Sequence, residues 1–216
     1  MSRLTGLQEE VLVRFFRKTR SFFLTGGAAL AGYHLGHRTT DDLDLFTSSP
    51  DLDEGVSTLH SVADELSASI QALRTSPDFR RFLIGVGTES VIVDLVRDRA
   101  PQIHVEKVDR DGVLVDPPEE ILANKLCTLL SRGEVRDLVD VLFLERAGLR
   151  AEDAIGPAST KDGGLTPAQL AWVLSQITIG PDARIPAGVT PDELRAFLED
   201  LVSRLARLAW PATPVS

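Results

Sequence analysis

The segment Asp42-Leu43-Asp44-Leu45-Phe46 constrains this chain more than any other. Successive side chains of a β-strand point to opposite faces, so the alternation puts both carboxylates on one face and both leucines on the other. The leucines call for an apolar layer beneath them. The two carboxylates, roughly a strand repeat apart, repel each other and call for a cation. A hard divalent ion such as Mg2+ is the natural partner, because it takes oxygen ligands and completes its shell with substrate phosphates.

Upstream, Phe22, Phe23 and Leu24 form a short apolar run that stops at Gly26-Gly27, and AALAGYHLG resumes without a breaker. The pattern predicts strand, glycine turn and helix in succession. Paired glycines let the backbone approach a ligand closely, and amides at the following helix start can cradle phosphate oxygens. Many strands end in Gly-Gly, so the pair gains meaning only from the acidic strand after it. Downstream, FRRFLIGVG and SVIVDLV read as a hairpin turning near Gly87. Asp94 interrupts the second strand. On an edge strand it would face water; beside Asp42 and Asp44 it completes three acids, enough for two metal ions flanking a transferring phosphoryl group.

Residues 7–20 place Leu7, Val11, Leu12, Phe15 and Phe16 at helical spacing, and residues 56–73 repeat apolar positions from Val56 to Ile70 in the same way. From Val113 the texture changes. Asp116-Pro117-Pro118-Glu119 reads as a helix start, opening a helix through about Leu130, with another at 135–147. GPASTKDGGLTP (156–167) reads as a loop, Thr166-Pro167 and Thr190-Pro191 as helix starts, and the last helix carries Leu194, Phe197, Leu198, Leu201, Leu205 and Leu208 on one stripe. The expected fold is α+β, with mixed strands over 1–115 and a helical bundle over 116–216.

In that second half Leu122, Lys125, Leu126 and Leu129 share a helix face, so Lys125 sits in an apolar stripe where a lysine is costly without an anion. Arg132, Arg136, Asp137 and Asp140 follow. Two readings stand: a snorkelling Lys125 with Arg–Asp bridges between helices, or a Lys125 that holds phosphate oxygens while Asp137 orients it. His34 and His37 lie near the acids but are expected to serve packing, and Cys127 is expected to be a small core residue.

The net charge of -9 excludes a surface coated in phosphate-binding cations. Regional counting refines this: residues 1–20 carry five basic against two acidic side chains, whereas residues 21–60 carry one arginine against six acids. Arg80, Arg81, Arg97 and Arg99 on or beside the hairpin, with the first helix, are expected to form one basic rim near the acids. A single cysteine suits a reducing compartment. Acidic residues interrupt the first segment where a signal peptide is apolar, and no apolar run approaches membrane-spanning length, so a soluble cytoplasmic protein with no membrane partner is expected.

Gly26-Gly27 followed by HRTTDDLDLF, then VDLV at Asp94 and KLCTLLSRGEVRDLVDVLFL from Lys125, resemble the AbiEii/AbiGii-type nucleotidyltransferase toxins, the MenT-like branch of the polymerase-β-like superfamily. The resemblance spans residues 22–144. It implies a nucleotidyltransferase core at 1–115 and a helical domain at 116–216 that completes the active-site cleft. It makes Gly26 and Gly27 the phosphate-approach turn, Asp42, Asp44 and Asp94 the metal ligands, Lys125 and Asp137 the family's essential pair, and Arg38 its arginine before the acids. Arg80, Arg81, Arg132 and Arg136 become candidates for acceptor binding. The activity implied is Mg2+-dependent transfer of a nucleoside monophosphate from an NTP to an acceptor, with the tRNA 3′ end as acceptor and an antitoxin as partner. Gly27 stands where GS variants carry a serine, so backbone amides must replace its hydroxyl. The alternatives are a nucleotidyltransferase acting on a small molecule or a protein, and a non-catalytic module that binds NTP or antitoxin.

Overall fold

The computed structural model describes residues 2–210. The first helix, α1 (Gly6–Lys18), opens with a capping box: Thr5 Oγ1 accepts from the Gln8 amide while Gln8 Oε1 accepts from the Thr5 amide. Its Leu7, Val11, Leu12, Phe15 and Phe16 are buried, as the spacing predicts. Strand β1 (Phe23–Thr25) runs into α2 (Gly26–Ala29), which continues as a π-turn over Leu30–His34. Strand β2 (Asp42–Thr47) buries Leu43, Leu45 and Thr47 and leaves Asp42, Asp44 and Phe46 half-buried.

Helix α3 (Asp53–Leu66) is shorter than its periodicity suggests, because Ser67 takes a left-handed conformation that closes it. Ile70 belongs instead to β3 (Ser69–Ser76), paired antiparallel with β4 (Phe79–Val86). The hairpin of β4 and β5 (Glu89–Arg97) forms as expected, with Gly87 at φ +58° in its turn. Strands β6 (Val108–Arg110) and β7 (Val113–Val115) complete a seven-stranded mixed sheet of order β3-β4-β5-β2-β1-β7-β6. Two pairings are parallel, β2 with β5 and β1 with β7.

The leucine face of the sheet is the core: Leu24, Leu43, Leu45, Val93, Leu95 and Ile84 are fully buried. Gly55 of α3 lies against Phe22 and Leu95, and α1 packs on α3, β5 and β7. This layer fixes the orientation of β2 and therefore which face its carboxylates take.

The chain divides into two units, one reaching to Arg99 and resuming over His104–Pro117, the other made of Ala100–Ile103 and everything from Pro118. The second unit contains α4 (Pro118–Arg132), α5 (Val135–Arg146), α6 (Ala151–Lys161), α7 (Pro167–Ser175) and α8 (Pro191–Ala209). Thr166 and Thr190 cap α7 and α8 by accepting from the amides of Gln169 and Glu193, each with proline in the first turn. The α8 stripe is buried at Leu194, Leu198, Leu201 and Leu205, while Leu208 is exposed. Trp172 and Trp210 are exposed as well, so neither belongs to the core.

The expected loop at 156–167 is in its first half a helix, since α6 runs through Gly156 and Pro157 to Lys161. Ala154, Ile155 and Ala158 are buried as α6 packs on α4, and that burial overrides the breakers. Pro157 still lacks the amide that a helix interior uses. Pro157→Ala is expected to raise stability by about 1–2 kcal/mol, the helix gain being partly offset by a freer unfolded chain, and urea unfolding measures it.

Candidate active site

The strand registers build the site. Asp44 pairs with Thr25 on β1 and with Asp94 on β5, Asp94 pairs with Arg81 on β4, and Arg81 pairs with Arg74 on β3. Directly opposed residues share a face, so Thr25, Asp44, Asp94, Arg81 and Arg74 form one row across five strands. Asp42 stands two residues along on the same face. One oxygen from each of Asp42, Asp44 and Asp94 lies within 4.8 Å of the others. In an octahedral Mg2+ shell opposite ligands are about 4 Å apart and neighbouring ones about 3 Å, so closing onto one ion takes a contraction of about 2 Å at most. The residues fit a hard divalent cation.

Local structure presses this row into place. Gly26 has φ +65°, and a Cβ there would collide with Asp44 Oδ2, so only glycine permits both the turn and the carboxylate behind it. A Cβ on Gly27 would fall 2.7 Å from Arg38 Nη2. Arg38 is itself buried and donates to the Thr39 carbonyl at 3.0 Å, which stacks the guanidinium against the glycine turn. Thr40 Oγ1 donates to Asp42 Oδ1 at 2.8 Å, and Gln8 Nε2 donates to the Thr40 carbonyl at 2.8 Å. A side chain of the α1 capping box thus braces the segment leading into the acidic strand. No motif in the sequence points to Gln8, because the contact joins residues 32 apart.

Arg81 chelates Asp94: Nε donates to Oδ1 at 2.8 Å and Nη2 to Oδ2 at 2.6 Å. Hydrogen bonding to Asp94 holds the Arg81 pKa above its ordinary value against burial, and the charges of Asp94, Asp42 and Asp44 add to it. Arg80, adjacent in sequence, pairs with Leu95 and therefore takes the leucine side of the sheet. The two-residue period separates the two arginines that the sequence reading joined in one rim. The cations of α1 and just after it are also engaged elsewhere, Arg14 and Lys18 pairing with Glu65 and Arg20, beyond the helix, with Asp109, while Arg97 and Arg99 meet Asp78.

The helical unit holds the second group of predicted residues. Lys125 Nζ lies 2.6 Å from Asp137 Oδ1 and 2.7 Å from Asp140 Oδ2, all three buried. Burial pushes the ammonium pKa down, but the fields of Asp140 and Asp137 and their hydrogen bonds outweigh it and raise it. Arg132 reaches Asp137 Oδ2 at 3.0 Å, whereas exposed Arg136 pairs with Glu134. Asp140 is a full partner of Lys125, a role the sequence signals only through its spacing of one helical turn from Asp137. Both readings of Lys125 must now accommodate an ammonium already held by two carboxylates.

His34 Nε2 lies 2.8 Å from the Asp116 carbonyl, a packing role for the π-turn, and His37 is half-buried. Burial pushes the Cys127 thiol up to about 11, with Asp162 adding to it, which leaves it protonated and unreactive at neutral pH.

Among solved structures, a candidate nucleotidyltransferase from H. pylori is similar over 94% of each chain at 18% identity and a TM-score of 0.58. JHP933 from Helicobacter pylori is similar over 94% of this chain and 92% of its own, at 19% identity and a TM-score of 0.57. The fold is that of nucleotidyltransferases. The family model of the nucleotidyl transferase AbiEii toxin, type IV toxin–antitoxin system, matches residues 10–213, and the chain belongs to that family. No curated protein matches it.

Two outcomes follow from the geometry. Gly26→Ala is expected to displace Asp44 and weaken divalent-ion binding by more than about tenfold, read by Mn2+ titration. Lys125→Met leaves Asp137 and Asp140 facing each other and is expected to cost about 3–5 kcal/mol. Because the folded pKa of Lys125 is raised, its contribution is complete below the ordinary value of 10.5 and is lost as pH rises through the folded value. The stability gap between the two proteins, from urea unfolding, should hold from about pH 8 to 10 and narrow only above that range.

Proposed function

We propose that this protein transfers a nucleoside monophosphate from an NTP to the 3′ end of tRNA, as the cytoplasmic, MenT-like toxin of a toxin–antitoxin pair. The observation that carries the transfer chemistry is the row in which Asp44 and Asp94 meet across parallel strands with Asp42 beside them and a glycine turn at their edge. Asp42, Asp44 and Asp94 would hold Mg2+. When bound, the ion lowers the pKa of an attacking hydroxyl and neutralises the triphosphate.

The chain's own residues supply the positioning. Backbone amides at Gly26 and Gly27 approach the donor phosphates, Arg38 keeps that turn rigid from behind, and Thr40 fixes the rotamer of Asp42. In the helical unit Lys125 is held by Asp137 and Asp140, and Arg132 also reaches Asp137. The acceptor hydroxyl bonds to the α-phosphorus, the bond to the β-phosphate oxygen breaks, and pyrophosphate leaves. Among the described residues no helix is long and apolar enough to cross a membrane, which is consistent with a cytoplasmic acceptor.

The tRNA assignment rests on the family resemblance and on the arginines at the hairpin end of the acidic row, Arg81 and Arg74. Purified protein incubated with α-labelled NTPs, Mg2+, total tRNA, an aminoglycoside and a protein mixture should label tRNA alone. Asp42→Ala and Asp44→Ala should each lower that labelling more than about 100-fold. Label only on protein or on the aminoglycoside contradicts the acceptor assignment, and full activity in both variants contradicts the metal centre.

A further inference from the structure

The acidic row contains its own cation. Three carboxylates face one another across β2 and β5, and Arg81 occupies both oxygens of one of them. Counting only the three carboxylates and the arginine bonded to them, the formal charge is three negative against one positive, which a single divalent ion balances. A metal shell that includes Asp94 has to take an oxygen already engaged in a bidentate, charge-assisted bond, among the strongest hydrogen bonds proteins make.

The two partners differ in freedom to move. The Asp94 side chain is 5% exposed, that of Arg81 39%. Asp94 sits in the middle of β5, while Arg81 stands on β4 near the open edge of the sheet, one strand in from β3. The Arg81 guanidinium carbon lies 5.6 Å from the centre of the Phe79 ring, and that of Arg74 lies 5.5 Å from the same ring. A guanidinium leaving Asp94 thus has an aromatic surface to move over, beside a second arginine that also attracts anions.

We propose that Arg81 is a positioning residue that withholds Asp94 from the divalent cation until a substrate phosphate takes its guanidinium. In the substrate-free protein the ion is held by Asp42 and Asp44. Phosphate oxygens then exchange with Asp94 as the partner of Arg81, and Asp94 turns to the ion, so the complete three-acid centre forms only with substrate in place. This rests on the metal-centre reading above, and it goes beyond it by giving the centre an order of assembly. A bridge that only ties β4 to β5 would affect stability and leave ion affinity unchanged.

The test is Mn2+ binding to the nucleotide-free protein, followed by the electron paramagnetic resonance signal of the free ion. Arg81→Gln should bind Mn2+ at least about tenfold more tightly than wild type, because Asp94 is released. Arg81→Lys, which can hold only one oxygen firmly, should fall between. A non-hydrolysable NTP or a short single-stranded RNA is then added separately; the one that closes the gap between wild type and Arg81→Gln identifies whether donor or acceptor phosphate draws Arg81 away. Melting curves check that the variants fold, and Mn2+ should raise the melting temperature of Arg81→Gln more than that of wild type. Equal affinities in wild type and Arg81→Gln, or a gap that neither ligand closes, overturns the proposal while leaving the metal centre standing. No Mn2+ binding at millimolar concentration in either protein overturns the metal centre and this proposal with it.

Discussion

Everything in the first unit is arranged around the parallel pairing of β2 with β5, which sets Asp44 directly opposite Asp94. Two like charges about 5 Å apart repel by about 3 kcal/mol at an effective dielectric constant of about 20. A sheet would ordinarily avoid such a pair. Here the opposite face compensates: Leu43, Leu45, Val93 and Leu95 are fully buried on the same two strands. Slipping the register by one residue would turn those side chains to the charged side, so the hydrophobic layer holds the carboxylates together against their repulsion. The glycine turn, Thr40 and Arg81 each act on one acid of the row. Gly26 makes room for Asp44, Thr40 orients Asp42, and Arg81 neutralises Asp94.

The helical unit handles buried charge by a related principle. Lys125 between Asp137 and Asp140, Lys161 against Glu120, and Arg204 with Glu145, Glu152 and Asp200 are ionic knots within apolar packing. Burial lowers the Arg204 pKa, yet the hydrogen bonds it donates to its acidic partners outweigh that and raise it, so its charge is permanent. Breaking a buried pair is costly, about 3–5 kcal/mol, whereas forming it gains little.

The acidic strand was legible in the sequence because a period of two is read directly from Asp42-Leu43-Asp44-Leu45, and the hairpin carrying Asp94 because two β-rich runs flank Gly87. The resemblance to the AbiEii toxins rested on those residues together with Gly26-Gly27 and the block from Lys125, and the family model bears it out. Less legible were features decided at long range. Ile70 satisfies a helical period as well as a strand, and only the left-handed Ser67 and pairing with β4 settle it. Pro157 reads as a breaker, but burial of Ala154, Ile155 and Ala158 holds it in a helix. The brace from Gln8 to Thr40 joins distant residues through a backbone carbonyl, which has no sequence signature. The shared basic rim failed on strand geometry that the sequence already contained, since neighbours such as Arg80 and Arg81 cannot face the same way.

The central claim is that Asp42, Asp44 and Asp94 form one centre that binds a divalent ion together with a nucleoside triphosphate. Crystals grown with Mn2+ and a non-hydrolysable NTP, examined by anomalous diffraction at the manganese edge, test it most directly. The expected map has a manganese peak about 2.2 Å from oxygens of Asp42, Asp44 and Asp94, with the triphosphate lying along Gly26-Gly27. Manganese and triphosphate bound away from these carboxylates, or triphosphate bound with no ion among them, would contradict the account.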